Sequence, residues 1–183
     1  MRPSILALLI AAPLTTQAAQ TTTPTAAQTP APAAAPKADI FSPVRFLVGQ
    51  WKGEGDGQPG QATGAATFRF ELEGKALVRR SHADYPPANG RPATHHEDLM
   101  TIFAEGGQLK AIYFDNEGHV IRYTGAAVPG GVAFTSEPAP GPRFRLTYLQ
   151  KPDAAVTVCF EIAPPLAPDA FKTYLEGATR QVK

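Results

Sequence analysis

The run His95-His96-Glu97-Asp98 gathers imidazole and carboxylate side chains in consecutive positions, a donor set that suits zinc and related ions. Neighbouring side chains on an extended strand point to opposite faces, so His95 and His96 cannot ligate one ion unless the backbone turns between them. The run also lacks the i, i+4 spacing of helical zinc sites. It therefore reads as a surface loop, and no metal is assigned. Cys159, the single cysteine, lies among apolar and β-branched neighbours with no adjacent basic group, which points to an inert, buried thiol. No nucleophile beside a base, no Gly-rich phosphate loop and no carboxylate pair on a rigid frame stands out, so no catalytic residue is assigned. The candidate ligand-binding residues are the polar ones in strand-like segments: Arg69, Glu71, Arg79, Arg122 and Arg145. Converging inside a barrel, they would hold an anionic group; facing outward, they would be solvated surface. Strand parity alone leaves both readings open.

Such residues need a scaffold, and 183 residues provide for one domain with an appendage. The balance of 17 Lys+Arg against 16 Asp+Glu builds no field to attract nucleic acid or an anionic membrane. With 19 prolines and 16 glycines, long helices are disfavoured and a β-rich or loop-rich domain is favoured. A lone cysteine forms no internal disulfide, so the fold must stand on packing.

The N-terminus reads as an address. Arg2 supplies positive charge, Ile5 to Ala12 form a short apolar run, and Thr16-Gln17-Ala18-Ala19 offers small residues for cleavage. The run stops at Pro13, short of the roughly 20 residues that span a bilayer, so residues 1–19 are expected to be a signal peptide and no stable membrane span is expected. No cysteine follows the run to carry a lipid. Residues 20–38 hold Thr, Ala, Gln and Pro with no large apolar side chain, the composition of a disordered, extended spacer. The expected location is periplasmic or secreted.

From Asp39 the pattern changes to period two, and residues 39–183 are expected to form one β domain. Ile40 to Val48 suit a short helical turn or plug, with Pro43 near its start. Phe68, Phe70 and Leu72 alternate with Thr67, Arg69 and Glu71, and Glu73-Gly74 offers a two-residue turn into 76–82. Further segments at 99–104, 109–114, 119–124, 132–136, 144–150 and 156–162 are separated by turn residues, with a last strand through Tyr174 to Arg180. With a first strand around Trp51 this makes about ten short strands and no helix long enough to cover a sheet. An up-and-down antiparallel barrel removes the exposed edges and is favoured over a sandwich.

The segment 46–57, with its Gly49-x-Trp51 and Trp-x-Gly-x-Gly-x-Gly pattern, resembles the opening of calycin-like barrels. It looks most like nitrobindin-type, lipocalin-like barrels and an uncharacterised bacterial family of exported calycin-like proteins. The run 109–119, followed by Tyr123-Thr124-Gly125, is similar to the middle of that family. The resemblance implies a calycin-like barrel in which Arg180 of the last strand stacks on Trp51 as a structural pair. A nitrobindin-like barrel would carry haem on a histidine of its C-terminal strands, but His82, His95, His96 and His119 all precede Val120. Tyr148 or Tyr174 would have to take its place, so haem is disfavoured and no cofactor is expected. The leading expectation is a barrel that binds a small, mostly apolar molecule in its interior. The alternatives are a non-catalytic envelope protein with a solid barrel core and an enzyme acting on a lipid-like substrate. They differ in interior volume and in whether titratable groups converge there.

Overall fold

The computed structural model describes residues 39–53, 63–87, 90 and 92–182. The expected signal peptide (1–19), the spacer (20–38), Arg91 and the Gly-rich end of the Trp51 motif lie outside the described residues.

Ten antiparallel strands run in chain order round a closed barrel: β1 (Gly49–Gly53), β2 (Thr63–Glu71), β3 (Ala76–Tyr85), β4 (Thr94–Glu105), β5 (Gln108–Asp115), β6 (Val120–Val128), β7 (Gly131–Ser136), β8 (Arg143–Gln150), β9 (Val156–Ala163) and β10 (Lys172–Gln181). Each strand pairs with the next, and β10 returns to pair with β1. The domain is thus all-β, with up-and-down connectivity and no open sheet edge. Local chemistry explains the tight connections. Between β4 and β5, Gly106 and Gly107 take φ values of +57° and +76°, the positive pair that a two-residue hairpin matching strand twist demands. Between β5 and β6, Asp115 Oδ1 accepts the N–H groups of Glu117 (3.0 Å) and His119 (2.9 Å).

One end of the barrel is plugged. Ser42–Leu47 form a 3-10 helix with Pro43 near its start, and Val44 and Leu47 are fully buried beneath the strands. Trp51 Nε1 donates to the Leu47 carbonyl at 2.6 Å, which ties the plug to β1, and Phe41 packs edge-on against Phe70 at 5.3 Å. Trp51→Phe keeps most of the apolar contact but strands a buried carbonyl. It is expected to lower stability by about 1–3 kcal/mol, read as a shifted urea midpoint at unchanged slope.

Several local expectations need correction. The β2–β3 connection is not a two-residue turn at Glu73-Gly74: Leu72–Gly74 form a short 3-10 turn in which Leu72 itself has φ +51°. Leu72 is thereby carried off the strand and is 74% exposed, apart from Phe68 and Phe70. The His95-to-Asp98 run is not a surface loop, because it lies within β4 and its side chains alternate, with Asp98 buried. Trp51 and Arg180 are not a stacked pair. Trp51 lies opposite Gln181 and faces inward, whereas Arg180 lies opposite Lys52 on the outer face and pairs with Asp153 at 2.5 Å. Cys159 is only half-buried: it sits opposite Thr147 on the outer face, 3.9 Å from Thr173 Oγ1, and burial raises its pKa.

Candidate ligand-binding site in the barrel interior

Register decides which polar side chains enter the barrel. Phe68 of β2 lies opposite Arg79 of β3, Arg79 opposite Met100 of β4, and Met100 opposite Tyr113 of β5. Since Phe68 and Met100 are buried core residues, Arg79 and Tyr113 share their inward face. Two residues nearer the unplugged end, Ser81, Asp98 and Asp115 form the next inward row. From the opposite wall come Tyr123 of β6 and Tyr148 of β8, both buried.

These groups meet. Arg79 Nη2 donates to Asp98 Oδ2 at 2.6 Å and to Ser81 Oγ at 3.1 Å, and Nη1 donates to the Tyr148 hydroxyl at 2.5 Å. Ser81 Oγ donates to Asp98 Oδ2 at 2.8 Å. The Arg79 side chain is 13% exposed and that of Asp98 2%, so the ion pair is removed from water. Burial works against the Arg79 charge, but Tyr148 and Asp98 outweigh it and hold its pKa above the usual arginine value. Burial likewise raises the phenols of Tyr113, Tyr123 and Tyr148, which remain neutral hydrogen-bonding groups. Asp98 Oδ1 is buried without a partner among the described residues.

On the far side of Asp98, His96 Nε2 lies 3.0 Å from the Tyr113 hydroxyl and Nδ1 lies 3.3 Å from Glu117 Oε1. A carboxylate–imidazole–hydroxyl chain can activate a nucleophile. Here burial and Asp98 push the phenol well above its ordinary pKa, so Tyr113 acts as a hydrogen-bond donor.

A cavity of about 170 Å³ adjoins the cluster. Its walls are largely apolar, with Leu47 and Trp51 at the plugged end, Phe68 and Val156 along the sides, and Val158 and Leu175 higher up. Arg79, Ser81 and Tyr148 supply polar groups, and Tyr85 stands toward the unplugged end. The space exists because β2, β3 and β10 present small residues, notably Gly64, Ala83 and Gly177, where the β4–β8 side is filled by Met100, Ile102, Tyr123 and Phe134.

Of the residues expected to bind a ligand, Arg79 alone lines this cavity. Arg69 and Glu71 pair with each other at 2.6 Å at the surface. Arg122 is exposed. Arg145 makes a two-point ion pair with Glu161 at 2.6 and 2.8 Å under the Phe171 ring, outside the barrel. Of the two directions that the sequence left open, Arg79 takes the inward one and Arg69, Glu71, Arg122 and Arg145 the outward one, so the five residues do not converge. Ser81, Asp98 and Tyr148 are the partners that sequence reasoning missed as site residues.

Fold and site together define a closed antiparallel barrel whose partly hollow interior is floored by a guanidinium–carboxylate–phenol cluster. The chain matches no protein-family model, and no curated protein matches it.

Proposed function

We propose that this protein is an exported, calycin-like barrel that binds a small, mostly apolar ligand in its interior. The observation that carries this reading is the 170 Å³ cavity, apolar-walled and with a few polar groups converging at one side, the arrangement typical of small-molecule sites. A cavity of about 150 Å³ accepts benzene in another protein, so a ring or short chain of similar bulk suits this one. The N-terminal residues 1–19 and the spacer support export to the periplasm or beyond. A haem suits the site poorly. The volume is close to that of a cavity that holds a single benzene ring, far less than a tetrapyrrole fills, the Tyr148 hydroxyl is engaged by Arg79, and Tyr174 is 75% exposed. The alternative of a solid core fits the β4–β8 side of the barrel but not the side that holds the cavity.

Gly177 tests the reading. It lines the cavity, and a Cβ built there meets open space. Gly177→Leu is expected to fill the cavity and leave the fold intact. Ethylbenzene at millimolar concentration should then shift backbone amides of β2, β3 and β10 in the native protein, as read by two-dimensional NMR, and leave the variant unshifted. Equal shifts in both proteins would remove the proposal, as would the absence of shifts in the native protein with ethylbenzene and with an acceptor-bearing analogue, acetophenone.

A further inference from the structure

The donors and acceptors around the cavity are not balanced. A guanidinium carries five N–H donors, and Arg79 uses one on Tyr148, one on Ser81 and one on Asp98. The Nε–H and the second Nη1–H have no acceptor among the described residues. Tyr148 accepts from Arg79, and its own O–H likewise has no acceptor among them. The other hydroxyl protons nearby are already committed, that of Ser81 to Asp98 and that of Thr179 to the Val156 carbonyl at 3.3 Å, so these two groups keep only lone pairs. Asp98 Oδ1 has no donor among the described residues, but Asp98 is not part of the cavity wall. The unused hydrogens beside the cavity are those of the Arg79 guanidinium and the Tyr148 hydroxyl, and the N–H groups of a charged guanidinium make stronger hydrogen bonds than those a neutral hydroxyl lone pair accepts from a neutral donor.

Charge narrows the choice further. Asp98 lies 2.6 Å from Arg79 and neutralises it, so the floor has hydrogen-bonding power without net charge. A neutral acceptor gains those hydrogen bonds with little desolvation cost. An anion would have to leave water for a site whose positive charge is already compensated, and burying an uncompensated charge is strongly unfavourable. The aromatic and aliphatic walls then take up a hydrocarbon body of roughly benzene size.

Resting on the interior-binding reading above, we infer that the site selects uncharged molecules carrying one hydrogen-bond acceptor, such as a ketone, aldehyde or ester oxygen, on a compact hydrocarbon body, with Arg79 and Tyr148 as the donors. This differs from an anion site, for which a lone buried arginine would be the natural marker. It also differs from a purely hydrophobic pocket.

Three probes of nearly equal size separate these cases. Acetophenone has the neutral acceptor, ethylbenzene lacks it, and benzoate carries a charge. Titrated into the full-length mature protein at pH 7 and followed by amide shifts, acetophenone is expected to bind at least about ten-fold more tightly than either of the others. Tyr148→Phe should weaken acetophenone several-fold and leave ethylbenzene unchanged. Benzoate binding most tightly would overturn the inference in favour of an anion site. Equal affinity for acetophenone and ethylbenzene would overturn it in favour of an apolar pocket, with interior binding retained. Binding of none of the three would overturn interior binding itself, and the inference with it.

Discussion

Arg79→Met is expected to destabilise the barrel by about 3–5 kcal/mol, the usual cost of removing one member of a buried ion pair. Asp98 explains the size of the effect. Its side chain is 2% exposed, and its Oδ2 receives Arg79 and Ser81 while Oδ1 has no donor among the described residues. Without the guanidinium, the Ser81 hydroxyl at 2.8 Å and the more distant His96 imidazole, 3.7 Å from Oδ2, are left beside a carboxylate held away from water. The loss belongs to the broken pair and not to the absence of charge. Replacing both residues with apolar ones of similar bulk, Arg79→Met with Asp98→Leu, should therefore recover most of the lost stability, since such swaps are often neutral or favourable. Urea unfolding of the native protein, the single variant and the double variant at pH 7 checks both statements. A single-variant loss below about 1 kcal/mol would mean that solvent reaches Asp98. A double variant no better than the single would mean that Tyr148 and Ser81, left without Arg79, carry the cost instead. The pair shows how a donor cluster beside a cavity is kept charged in its parts and neutral overall within one small barrel.

The frame of this barrel was legible in the sequence because most strands show the period-two signal and the turns have marked chemistry. Phe68 and Phe70 on β2, and Leu146 and Tyr148 on β8, repeat every second residue and face inward, and Gly106-Gly107 marks a hairpin. The site was much less legible. On β3 the inward row is Leu77, Arg79, Ser81, Ala83 and Tyr85, and the outward row is Val78, Arg80, His82 and Asp84. Both rows mix apolar and polar residues, so parity does not single out Arg79 from Arg80. Arg69, Glu71, Arg122 and Arg145 were equally eligible by type, and their outward direction follows from partners on neighbouring strands. One signal was present. The two-residue turn at Gly106-Gly107 sets Glu105 opposite Gln108, and hence Asp98 opposite Asp115. Two acids directly across a ladder repel unless other groups compensate them, which calls for cationic or donor neighbours such as Arg79, His96 and His119. The partner of Trp51 was lost for a related reason: a shift of one residue in the β1–β10 register moves Arg180 to the opposite face.

Phe134→Ala is expected to cost about 3–5 kcal/mol, and the reason lies in a glycine on the next strand. Phe134 has no exposed surface. It faces Gly125 of β6 directly and packs edge-on to Tyr148 with ring centroids 6.4 Å apart. A Cβ at Gly125 would come within 2.8 Å of the Phe134 ring and 3.0 Å of a Leu109 methyl. The ring thus occupies volume that a side chain at Gly125 would otherwise take, and the two positions share one space. Gly125→Val alone should overpack it and cost about 1–3 kcal/mol. Combined with Phe134→Ala, the same substitution fills part of the void, so the double variant should be more stable than the sum of the single losses by about 1 kcal/mol or more. Thermal or urea unfolding of all four proteins measures that coupling. Additive losses would show that the core relaxes independently at the two positions. A favourable coupling would locate the rigid side of the barrel at β6–β8, against which the small residues of β2, β3 and β10 leave the cavity open.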